Sequence, residues 1–167
     1  MNIIVIDGQG GQLGVQLVKG ITEKFPSLKL TAIGTNALAT AAMLKAGADR
    51  AATGENPACV ASRKADVIIG PIGIVIADAL FGEITPKMAI AVGQSNAKKI
   101  LIPINKCDNI IVGVNDLSLT VMIKNVLKIV LVSLFFILIA YLGSVNSKEY
   151  YETLLLPPGA PPSFVFP

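Results

Sequence analysis

Histidine and tryptophan are absent from this chain, and cysteine occurs only twice. Without histidine there is no imidazole for a Ser–His triad and no His ligand for zinc. Cys59 and Cys107 lie too far apart for a metal-binding spacing. They read as two buried free thiols in a reducing cytoplasm. Charge is also scarce: 15% of residues are charged, against about 25% in an ordinary soluble domain. The net charge of +3 is small, and no basic stripe is interleaved with aromatics. Nucleic acid is therefore not expected as a partner. No basic leader precedes the apolar run in MNIIVIDGQGG, so no signal peptide is expected.

What the chain has instead is apolar residues, 53% of the total, placed unevenly. Residues 1–121 mix apolar runs with Gly, Asn, Asp and Lys, whereas residues 129–147 (IVLVSLFFILIAYLGSVNS) carry no charge. In the first part, Ile3–Ile6 is a short β-branched run that leads straight into Asp7-Gly8-Gln9-Gly10-Gly11-Gln12-Leu13-Gly14. Val15, Leu17, Val18 and Ile21 follow at helical spacing. Further strands are expected at Leu28–Ile33, in 48–54, and at Asp66–Gly70, Lys99–Ile104 and Ile110–Val114. Helices are expected over Ala37–Lys45, after Asn56-Pro57, and over Lys87–Val92 behind a Thr85-Pro86 cap. The alternation predicts an α/β fold: a Rossmann-like, mostly parallel sheet with helices on both faces.

Ligands of such sheets bind beyond the carboxyl ends of the strands. That rule gathers Gly8, Gln9, Gly10, Gly11, Gln12, Gly14, Thr35, Asn36, Pro71, Gly73 and Asn105 on one rim as the candidate site. Gly8 suits the tight turn, Gly10 and Gly11 admit an anion to backbone N–H groups, and Gly14 permits close helix–sheet packing. The spacing is G-x-G-G-x-x-G rather than the strict dinucleotide G-x-G-x-x-G. Two readings stay open: a nucleotide such as NAD(P), or another anionic small molecule, sits on this turn, or the turn is empty. Asp7 would put a negative charge near a bound phosphate. No acid follows the second strand to take ribose hydroxyls. Thr35 and Asn36 either hydrogen-bond a ribose or 2′-phosphate, or cap the next helix. Asp7, Glu55, Asp78, Glu83 and Lys87 are the acid–base candidates, but they form no catalytic constellation. Glu83 and Lys87, four apart, read as an exposed ion pair or helix-end charge.

The stretches MNIIVIDGQGG, AIGTNALATAAMLKAGA, ATGEN, DVIIGPIGI, GEITPKMA, KKILIPIN and VGVNDLSL together resemble a family of short bacterial Rossmann-like proteins catalogued as a domain of unknown function. The resemblance covers residues 1–121 and implies a cytoplasmic Rossmann-like domain, with no activity attached. Members of that family often have a further glycine where this chain has Gln12.

From residue 122 the pattern changes. Residues 122–147 read as one hydrophobic helix, a candidate transmembrane segment, and its uncharged stretch 129–147 approaches the length needed to cross a bilayer. Lys124 and Lys128 precede that stretch and favour an inner-membrane association with the first domain kept cytoplasmic. Residues 148–167 (KEYYETLLLPPGAPPSFVFP) are a Pro-rich, irregular tail. Tyr150 or Tyr151, Leu154, Pro157, Pro161, Pro162, Phe166 and Pro167 resemble the first loop of the TspO family of tryptophan-rich sensory proteins, with Phe164 where tryptophan is common. That family implies a five-helix membrane protein with a pocket for porphyrins and other hydrophobic ligands, of which residues 122–167 supply one helix and one loop. The expectation is a Rossmann-like domain fused by a sequence accident to a truncated TspO-like segment. The alternatives are a membrane-tethered binding or sensory protein, and a fragment of a TspO-type ligand binder.

Overall fold

The computed structural model describes residues 1–104, 110–112, 114 and 117–142. The apolar run Ile3–Ile6 together with Asp7 forms β1 (Ile3–Asp7), and all five residues are buried. α1 (Gln12–Lys24), β2 (Leu30–Gly34), α2 (Ala37–Lys45), β3 (Arg50–Thr53), α3 (Glu55–Lys64) and β4 (Val67–Pro71) follow in order. A single 3₁₀ turn at Ile72–Val75 leads toward α4 (Pro86–Gly93), then β5 (Lys98–Ile102) and the long α5 (Leu119–Leu142).

The strands form one sheet in the order β3-β2-β1-β4-β5, and every neighbouring pair is parallel. The register sets Ile3 against both Leu30 and Val67, so β1 is the central strand. Its side chains alternate between two covered faces, which is why the run is apolar throughout. Ile4 and Ile6, with Ile33 and Ile68, pack into a core with Ile74, Ile84, Met88 and Val92. On α1, Leu13, Leu17, Val18 and Ile21 are buried. The expected fold class is what the chain adopts.

Local differences have physical causes. β2 starts at Leu30 rather than Leu28, because the Leu28 N–H closes a turn on the Phe25 carbonyl (3.0 Å). β5 runs Lys98–Ile102 rather than to Ile104, because Pro103 has no N–H to continue a ladder. α3 begins at Glu55 behind Gly54 (φ 96°), so Asn56 lies inside the helix and does not cap it. Pro57 falls in the first turn, where a missing N–H costs nothing. The sixth strand expected at Ile110–Val114 does not form at its described residues, Ile110, Ile111, Val112 and Val114. An apolar run becomes a strand only when it gains a ladder partner. Here the Val114 N–H turns back to the Ile111 carbonyl at 3.5 Å.

Contacts divide the chain into a unit of Met1–Leu127 and a second of Lys128–Pro167. Within the first, the opening turns of α5 lie beside α1: a Cβ on Gly20 would stand 3.3 Å from Leu127 and 3.5 Å from Ile123. Within the second, the helix continues to Leu142, and the Ser133 hydroxyl bonds the Ile129 carbonyl at 2.9 Å. The tail 148–167 and Cys107 lie outside the described residues. Cys59 is only partly buried, unlike the fully buried thiol expected.

Candidate functional site

Strand order reverses between β1 and β4, so the loops leaving those strands diverge and open a crevice. The first of those loops is the glycine turn. Its Gly11 N–H bonds the Gly8 carbonyl at 2.9 Å, with Gln9 (φ 52°) and Gly11 (φ 68°) both left-handed. Gly11 is also the N-cap of α1 and offers no side-chain cap.

Asp7 takes over part of that task. Its carboxylate accepts the Gly8 N–H at 2.9 Å and the Gly14 N–H, in the first turn of α1, at 2.6 Å. Burial pushes the Asp7 carboxyl above its ordinary value, the two N–H bonds oppose the rise, and the Glu83 charge adds to it. Asp7 is 5% exposed. The N–H groups of Gly10, Gln12 and Leu13 are left without a hydrogen-bond partner among the described residues. They stand where the positive end of the helix dipole adds to their attraction for an anion.

A second carboxylate reaches the turn from the segment between β4 and α4. Glu83 accepts the Gln9 N–H at 2.8 Å and the Thr35 hydroxyl. The Asn36 amide also donates to it, at 3.1 and 3.3 Å, and to the Gln9 carbonyl at 2.9 Å. Burial opposes ionisation of Glu83, but these donors together hold its carboxyl below the ordinary value. The ion pair read between Glu83 and Lys87 is therefore corrected: Lys87 pairs with Glu55 at 3.4 Å, while Glu83 is occupied by neutral donors. Asn36 caps α2, its side-chain oxygen accepting the Ala39 N–H at 2.9 Å. Thr85 caps α4 as expected, accepting the Met88 N–H at 3.2 Å.

The crevice is a cleft of about 980 Å³. Gly8, Gln9, Gly10, Gly11 and Gln12 line it on one side, and Pro71, at the end of β4, and Gly73 beyond it line it on another. Ile104, Ile110, Ile111, Val114 and, from α5, Leu119 and Met122 supply an apolar wall. The run expected as a sixth strand is thus part of that wall.

Among the other residues assigned to the rim, Gly14 lies beneath the turn, where a Cβ would collide with Met43 and come within 2.9 Å of Asp7 Cβ. Thr35 and Asn36 are not part of the cleft lining; they hold Glu83 instead. Asn105 lies outside the described residues. Of the acid–base candidates, Asp7 and Glu83 meet at the turn and Glu55 pairs with Lys87. Asp78 is exposed, in a left-handed backbone conformation. The participation of Glu83, 74 residues from Gln9, had no signal in spacing.

A five-stranded parallel sheet in this order, with its glycine turn at the switch point, defines a Rossmann-like α/β protein. The chain belongs to the family described as Domain of unknown function (DUF3842), which matches residues 2–134. The match runs past residue 121 into α5. Searches of curated proteins and of solved structures find no match.

Proposed function

We propose that this Rossmann-like domain binds a nucleotide, or another anionic small molecule, across the Gly8–Gly14 turn. The observation that carries the reading is the set of N–H groups at Gly10, Gln12 and Leu13 without a partner among the described residues, beside a cleft of about 980 Å³. An anionic group on those donors leaves the apolar wall to take a flat or aliphatic remainder. Gly10 is exposed and open around its Cα, which suits close approach of a ligand. The test is thermal unfolding of the full chain in detergent with NAD, NADP, ATP or S-adenosylmethionine. A ligand at a hundredfold excess over its Kd should raise Tm by roughly 5–10 °C. No rise with any of them sinks the nucleotide reading and puts an empty turn ahead.

A second reading concerns α5, which we take as a membrane tether for the domain. The stretch 129–147 carries no charge, begins beyond the turns of α5 that lie beside α1, and approaches the length needed to cross a bilayer. The likeness of residues 122–167 to the first helix and loop of the TspO family is compatible with a tether and rests on the sequence pattern. Expressed in bacteria, the full chain should sediment with membranes and be released by detergent but not by high salt, since salt screens only surface charge. Recovery in the soluble fraction without detergent would exclude a tether.

A further inference from the structure

In dinucleotide-binding sheets, an acid at the end of the second strand accepts the ribose hydroxyls. β2 ends here in Gly34-Thr35-Asn36, with no acid of its own. The fold brings one to the same place from another element. Glu83 Oε2 receives the Gln9 N–H, the Thr35 hydroxyl and the Asn36 amide, while Oε1 has one contact, with Asn36 at 3.3 Å. A carboxylate has about four acceptor sites on its two oxygens, so Oε1 retains capacity when Oε2 is filled. Glu83 is only partly buried. It also stands against the turn itself: a Cβ on Gly8 would lie 2.6 Å from Oε2. The carboxylate thus borders the glycine turn on its β2 side, and the apolar cleft opens on the β4–β5 side.

We infer that Glu83 is the ribose-recognising residue of this site, its available oxygen accepting a hydroxyl of a vicinal diol while the rest of the nucleotide crosses the glycine turn into the apolar cleft. The inference rests on the nucleotide reading above and narrows it to ribonucleotides without a 2′-phosphate. A 2′-phosphate would meet the ionised carboxylate at short range and be repelled. Thr35 and Asn36 act as positioning residues, filling Oε2 while Oε1 keeps acceptor capacity.

The test is equilibrium binding to the full chain in detergent, comparing ATP with 2′,3′-dideoxy-ATP and NAD with NADP. Loss of a hydrogen bond to a charged group should weaken dideoxy-ATP relative to ATP by about ten- to a hundredfold, and NAD should bind more tightly than NADP. In Glu83→Gln, the ATP to dideoxy-ATP ratio should collapse toward one, and NADP should gain on NAD. A purely structural role for Glu83 would weaken all ligands alike and leave both ratios unchanged, which overturns the inference. Nucleotide binding by the wild type without diol discrimination also overturns it, and leaves the broader reading standing. Absence of nucleotide binding altogether removes both. The wild-type ratio decides the matter alone if Glu83→Gln does not fold.

Discussion

Gly11→Ala should lower stability by about 3 kcal/mol in urea denaturation, whereas Gly10→Ala should leave the midpoint nearly unchanged. Gly11 sits at φ 68°, a region that costs an L-residue roughly 1–2 kcal/mol. Its new Cβ would also stand 2.8 Å from Ala39 Cα and 3.2 Å from Ala39 Cβ. Those atoms belong to the body of α2, so relief requires moving a helix rather than a rotamer, at a further cost of about 1–3 kcal/mol. Gly10 has no such neighbour, its nearest contact being Gln12 Cγ at 4.0 Å. The two adjacent glycines therefore have separate duties. Gly11 lets α1 and α2 approach, and Gly10 leaves the turn open to solvent. A Gly11→Ala protein as stable as wild type would mean that α2 does not dock against the turn as described.

Glu83→Ala should destabilise the protein by about 2 kcal/mol and make it newly sensitive to chymotrypsin after Phe81. The segment before Glu83 is held in an unfavourable backbone: Asp78, Leu80 and Phe81 all have positive φ between 56° and 62°. Each such residue costs of order 1–2 kcal/mol. Leu80 and Ile84 are buried and anchor the segment, but Phe81 is 95% exposed. Removing the Glu83 carboxylate frees the Gln9, Thr35 and Asn36 donors at once and releases one end of that strained stretch. Acid should do the same. A carboxyl held below its ordinary value of 4.5 contributes stability that is present above that pH and is lost as pH falls through the lower, folded-state value. Asp7 works in the opposite sense, because its carboxyl is raised. Its contribution is greatest in acid and falls away as pH rises through the folded-state value. Glu83→Ala should therefore flatten the acid arm of the stability curve while the Asp7 arm persists. An unchanged acid arm, with no new cleavage at Phe81, would show that Glu83 does not hold the segment.

The sheet was legible in the sequence because its strands are buried on both faces and punctuated by glycine, proline and capping residues. Ile3–Asp7 and Val67–Pro71 are apolar at nearly every position, and Thr85-Pro86 and Asn36 mark helix starts by their own chemistry. The run Ile110–Val114 misled because β-branched composition is shared by strands and by the walls of apolar clefts. Only the presence of a pairing edge separates the two. Within the site, Gly8 to Gln12 could be read from the chain because the whole turn is local. Glu83 could not, since its partners Thr35 and Asn36 are 48 and 47 residues away, and a nearby lysine offered a simpler explanation. Absence of an acid after β2 was visible in the sequence; its replacement from a distant segment required the fold.

Asp7 and Glu83 together give the glycine turn its own resident carboxyl groups. A loop of this kind need not wait for a ligand to acquire its shape, because the Gly8, Gln9 and Gly14 amides are already engaged. These amides should exchange slowly with solvent in the free protein, while those of Gly10, Gln12 and Leu13 exchange fast and slow down only when a ligand arrives. Recognition at this turn is then a matter of filling vacant donors on a rigid frame, with little ordering cost at the moment of binding.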